Sequence, residues 1–176
     1  VILVLLAIIF FIAIAFRKAS RPISSWKYGL IASLVAFLHD VLIPLGIFSL
    51  LGKFYNVQVT IPIVVGLLTI LGYSVHDTIV VFDRVRENLK HDGEGKHKKS
   101  FEHIVGESIN QTFVRSINTS LTTVIAITAL YIFGAEATRH FSLTLLVGIV
   151  AGTYSSIFLG SPLLVTVYKW QEKKSN

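Results

Sequence analysis

Two carboxylates, Asp40 and Asp77, stand inside stretches of sequence that are otherwise nearly all apolar, and each directly follows a histidine, His39 or His76. A charge at that depth in an apolar environment is costly, so such a residue marks an ion or proton pathway in the first instance. The chemistry open to it is reversible proton binding. Desolvation favours the neutral acid and a nearby cation favours the ionised form, so a change in either loads or releases a proton. Arg115 stands at the edge of another apolar run and is placed to reach inward and pair with a carboxylate. Plainer readings stand beside these. Either aspartate can be a structural group bonded to its neighbours, the histidines can be structural, and Arg115 can snorkel to an interface.

Other chemistries find no support. The sequence has no HExxH, no phosphate-binding glycine loop and no serine elbow. It has no cysteine, which excludes disulfides, thiolate catalysis and cysteine metal sites. His91, His97 and His103 sit on or beside a charged stretch, at spacings that match no ligand set. No metal, no cofactor and no enzymatic activity are therefore expected.

The elements that position these residues are apolar helices. Of 176 residues, 53% are hydrophobic, and the mean hydropathy is +0.69. Apolar segments cover about 1–16, 28–51, 59–83, 113–133 and 141–168, lengths close to what a bilayer core requires. The dyad alternation of a membrane barrel is absent. The expected fold class is all-α: a polytopic transmembrane bundle of five helices in one domain spanning 1–176, with a long connection at 84–112. The chain begins inside an apolar run and holds no methionine, so it reads as a fragment of a longer protein. The net charge of +6 invites a nucleic-acid reading, but the charges sit in the connections, as orientation signals do. Thirteen of the 16 basic residues fall in the connections 17–27 and 84–112 and in the tail. That side is assigned to the cytoplasm, and no nucleic-acid partner is expected. The His- and Lys-bearing stretch 91–100 reads as a mobile loop, followed by a helical piece at 101–111 lying along the membrane surface.

Helical spacing assigns faces. Gly66, Thr69, Tyr73 and Asp77 share one side of their helix, and Leu67, Leu71, Val75, Ile79 and Phe82 form an apolar side suited to lipid. Ser33, Phe37, Asp40 and Pro44 share a side of the preceding helix. Arg115 continues to Thr119, Thr122 and Ala126, a small and polar side bordered by Asn118 and Thr123. Gly148, Gly152, Ser156 and Gly160 recur every four residues, a ladder for close helix packing.

The wording of several segments then points to a family. LGYSVHDTIVVFDRVREN (71–88) resembles the signature helix of the SecF branch of the SecD/SecF protein-export family. So do SINQTFVRSINTSLTT (108–123), the FGAE turn (133–136) and FSLTLLVGIVAGTYSSIF (141–158), and the resemblance covers essentially the whole chain. It implies a half of the RND transporter type, with six transmembrane helices and an extracytoplasmic domain after the first. This chain would hold helices two to six and lack that first helix and domain. It also implies a multi-pass protein of a prokaryotic inner membrane that assists Sec-dependent export with the proton-motive force, protons being the coupling ion. The implied partners are SecD, the Sec translocon (SecYEG), with YidC and YajC as further candidates, and exported polypeptides, all in a lipid bilayer. By motif matching, Asp77 takes the place of the family's proton-pathway aspartate and Arg115 that of its functional arginine; Asp40 matches a family acid of lower rank. Two alternatives remain open at this point: half of another proton-coupled RND transporter, and a scaffold that recruits the translocon.

Overall fold

The computed structural model describes residue 10 and residues 26–93 and 99–175. Apart from Phe10, the apolar segment 1–16 lies outside the described residues, as do Arg17, Lys18 and Arg21 of the first connection and Lys96 and Lys98 of the long one. The described residues form α1 (Trp26–Tyr55), α2 (Ile61–Gly93), α3 (Phe101–Phe133), α4 (Glu136–Ser155) and α5 (Ser161–Ser175). A π-helical turn, Ser156–Gly160, joins the last two into one rod. No strand occurs among the described residues, and four stretches are long and apolar enough to cross a membrane: Leu34–Tyr55, Ile61–Asp92, Phe101–Phe133 and Glu136–Trp170.

Local chemistry sets the turns. Asn56 takes φ 56°, a left-handed conformation that asparagine tolerates, and its N–H donates to the Gly52 carbonyl at 3.1 Å, closing α1. Pro62 enters α2 in its first turn, where a missing N–H costs nothing. Ser100 caps α3 by accepting the His103 N–H at 3.3 Å. Gly134 ends α3 with its N–H on the Leu130 carbonyl at 2.8 Å, and any Cβ there would overlap that carbonyl. The π-turn also has a local reason. Pro162 has no N–H for the carbonyl four residues back, and the widened turn before it accommodates the ring. The Ser161 hydroxyl takes the spare Ser156 carbonyl at 3.1 Å.

The connection expected at 84–112 is mostly helix. α2 continues to Gly93 and α3 already begins at Phe101, so the piece 101–111 extends α3 instead of forming a separate surface helix. The two extensions are held side by side. Asn88 donates to Ser108 at 2.8 Å and to Gln111 at 3.0 Å, and Arg84 donates to Gln111 at 2.6 Å. Polar composition signalled departure from the membrane, and helix periodicity continues past that point.

α2 packs along the α4–α5 rod, the most buried element of the bundle. The apolar side of α2 assigned to lipid is instead core: Leu71, Val75 and Phe82 are buried with Phe37 of α1 and Val105 of α3. Since α2 is packed by α1, α3 and the α4–α5 rod, its apolar side meets protein. α2 and α4 run parallel in close contact along small residues. A Cβ on Gly66 would stand 2.9 Å from Thr144, one on Gly148 would overlap Ile70, and one on Gly152 would stand 3.3 Å from the Ser74 Cβ. The seam therefore pairs Gly66 with Thr144, Ile70 with Gly148 and Ser74 with Gly152, in register every four residues. The fourth rung of the expected ladder differs: Gly160 has only ordinary contacts, with Ser155 and Ala36.

Candidate functional site

The next step along this seam is Asp77. It is 9% exposed and accepts two hydrogen bonds, from Ser116 on α3 at 2.6 Å and from Ser156 at the start of the π-turn at 2.5 Å. Each carboxylate oxygen is taken by one hydroxyl, so the residue ties α2 to α3 and to the α4–α5 rod. Ser156 was legible as a rung of the small-residue ladder, but its hydroxyl serves the carboxylate as well as the packing. The π-turn matters here because it sets where the Ser156 hydroxyl falls, and such turns recur at functional positions.

Asp40 forms a second buried centre. It is fully buried; one oxygen accepts from His39 Nδ1 at 3.0 Å and the other accepts from the Ser74 hydroxyl. Phe37, Asp40 and Pro44 do share an inward side of α1, as spacing predicts. His39 is 29% exposed, and its ring lies 6.3 Å from that of Tyr154. His76, next to Asp77, faces outward and is exposed.

The inner side of α3 is one residue away from the expected one. The buried stripe is Ile104, Val105, Ser108, Thr112, Ser116 and Ser120, whose polar members recur every four residues. Arg115, Asn118, Thr119, Thr122 and Ala126 are exposed. Consecutive residues on a helix are about 100° apart, and Ser116 occupies the seat at Asp77 that the pairing of Arg115 required. Arg115 makes no ion pair among the described residues. One turn beyond Ser116, the Ser120 hydroxyl accepts from Thr153 at 2.6 Å and from Tyr73 at 3.4 Å, again joining three helices. Nothing in composition marks Ser74, Ser116 and Ser120 as partners of this kind. The signal that points to Ser116 and Ser120 is a serine or threonine every fourth residue from 108 to 120, a better inward stripe than one begun at an arginine.

α3 is also the barest helix. In its most apolar window only 11% of residues are buried, against 61% in the α4–α5 rod. Phe113, Val114, Leu121 and Ile125 lie exposed on it beside Arg115 and its polar neighbours.

Residues 1–170 match the family model described as protein export membrane protein SecD/SecF, C-terminal. The protein translocase subunit SecF of Thermobaculum terrenum is 53% identical over 169 residues, covering 96% of this chain and 50% of that one. The subunit SecF of Synechocystis is 39% identical over 171 residues, covering 97% of this chain and 50% of that one. The chain thus spans about half the length of these relatives. Among solved structures, SecDF from Thermus thermophilus, described as a translocon-associated membrane protein, superposes with TM-score 0.73 at 44% identity over 82% of this chain and 19% of that one. SecDF in its super-membrane-facing form gives TM-score 0.74 at 42% identity, over 84% of this chain and 19% of that one. With its apolar helices, its matched length and its identity to these relatives, the chain is a multi-pass membrane protein that belongs to the SecD/SecF protein-export family, on the SecF branch.

Proposed function

We propose that this chain is the membrane half of a SecF subunit that works with SecD beside the Sec translocon, using the proton-motive force to assist the export of polypeptides. The observation that carries the reading is Asp77: a buried carboxylate held by one hydroxyl from each of two neighbouring helices. Protonating it removes the charge that makes both bonds strong, so loading a proton loosens α3 and the α4–α5 rod from α2 together. Hydrogen bonds to a charged group are worth roughly 1.5–3 kcal/mol each. One proton crossing the membrane releases about 2.3 kcal/mol per 100 mV, comparable with one such bond and enough to bias two packings of the bundle. The coupling ion is the proton, the membrane is a prokaryotic inner membrane, and the basic connections face the cytoplasm.

SecD is the partner that fits the bare side of α3. Thr119 and Thr122 bond carbonyls of their own helix, but an arginine with Asn118 on a membrane-crossing surface requires polar company that lipid does not supply. In this reading SecD covers that side and offers Arg115 an acid, and Arg115 acts on Asp77 across the interface instead of through direct contact. The test is translocation of a secretory precursor into membrane vesicles containing the full-length protein with SecD. Asp77→Asn should abolish the part of export that depends on the proton-motive force while leaving the SecD association intact. Undiminished export would contradict the reading.

A further inference from the structure

Thr78 is fully buried beside Asp77, and its hydroxyl has no hydrogen-bond partner among the described residues. A helical threonine always has an acceptor at hand in the carbonyl four residues back. Thr69, Thr112, Thr123 and Thr144 all use theirs, at 2.7–2.9 Å. Thr78 does not, and a buried unpaired polar group is where proteins place a water. Its position along α2 is specific. Ser74, which bonds Asp40, lies one turn before it, and Asp77 is adjacent. On the opposite wall, Gly152 stands against Ser74 and Asp40, a Cβ there lying 3.6 Å from Asp40 Oδ2. Ser156, one turn on, bonds Asp77. The two carboxylates therefore sit on one seam, against Gly152 and Ser156, which are four residues and about 6 Å of helix rise apart.

We propose that Asp40 is a second proton-binding carboxylate, joined to Asp77 by a short internal line made of Ser74, Thr78 with a water, and Ser156. The proposal rests on Asp77 being the proton carrier and adds a destination for its proton within the same chain. A proton leaving the Asp77 carboxyl breaks one O–H bond. Each hydroxyl or water between accepts one proton and passes on its own, and the last O–H bond forms on the Asp40 carboxylate. The intervening groups end unchanged except in orientation. His39 bonds Asp40 on its inner side and is partly exposed on the other. Pro44 supports the site: it lacks the N–H that would bond the Asp40 carbonyl, which leaves an acceptor there. Asp40 pairs with His39 on its own helix, whose ring lies 6.3 Å from that of Tyr154 on α4; among the described residues no lysine or arginine pairs with Asp40.

The experiment uses the full-length protein with SecD in proteoliposomes. Proton flux under an imposed pH gradient is read together with the carboxyl region of infrared difference spectra during a pH titration. Thr78→Val keeps the shape and removes the hydroxyl; it should cut flux about tenfold, the effect of losing one such interaction in the path. Thr78→Ser should restore the flux. Asp40→Asn should remove one titrating carboxyl band. If Thr78→Val conducts like wild type and merely melts higher, or if no band lost in Asp40→Asn titrates, the proposal is overturned. The underlying reading fails separately. Flux surviving Asp77→Asn would remove the proton carrier itself, whereas flux lost in Asp77→Asn but normal in both Asp40→Asn and Thr78→Val would remove only the internal line.

Discussion

Asp77 gains its meaning from the two hydroxyls it binds. Ser116 and Ser156 belong to different helices and reach different oxygens, so each is one restraint on a shared carboxyl group. Replacing either by alanine leaves that oxygen without its donor. Ser116→Ala and Ser156→Ala should each lower stability by about 1–3 kcal/mol, measured by thermal unfolding in detergent, and should each reduce proton-driven export. Their effects should not add, because both act through one carboxylate. Asp77 itself was legible in the sequence, since an acid in an apolar run is conspicuous. Its partners were not, because a serine in a membrane helix is common and only three-dimensional packing selects which one faces the acid. Arg115 shows the same difference in reverse. Its type and motif single it out, but a shift of one position, about 100° of helix, takes it from the core side to the bare side.

At the scale of elements, the seam between α2 and α4 places both acids. Small residues let the two backbones approach, and the approach brings Gly152 against Asp40 and Ser156 against Asp77. Gly148 is the tightest point. A methyl there overlaps Ile70, so Gly148→Ala should destabilise the bundle by about 1–3 kcal/mol, and Gly148→Leu should prevent its assembly. Gly72 has nothing within 4 Å of an added Cβ, so Gly72→Ala should melt at or slightly above wild type. Equal melting of the Gly148 and Gly72 variants would refute the seam as described. The four-residue spacing announces this ladder from 148 to 156. It also suggests a rung at Gly160, where the π-turn has already shifted the register. Hydropathy places the apolar helices but not their ends, because α2 and α3 continue as polar helices held by Arg84, Asn88 and Gln111. It also sends the apolar side of α2 to lipid, since nothing in one helix tells whether its apolar side meets lipid or another helix.

Across the whole molecule, the bundle is closed around the α4–α5 rod and open along α3. Arg115 lies on the open side, and the proposed contact with SecD puts its contribution in the assembly. Arg115→Ala should leave the thermal unfolding of this chain within about 0.5 kcal/mol of wild type, as exposed substitutions do. It should nonetheless abolish proton-driven export by the complex. The absence of cysteine in the chain makes a second check direct: single cysteines at Asn118 or Thr122 should cross-link to SecD, and one at Gly72 should not. A strong loss of stability in Arg115→Ala, with no cross-link from either position, would place the arginine inside the bundle and remove SecD from that side. If Asp77 carries the proton, proteoliposomes holding the full-length protein and SecD under an imposed pH gradient should show proton flux with the wild type and none above background with Asp77→Asn. Equal flux in the two would mean that the proton travels elsewhere.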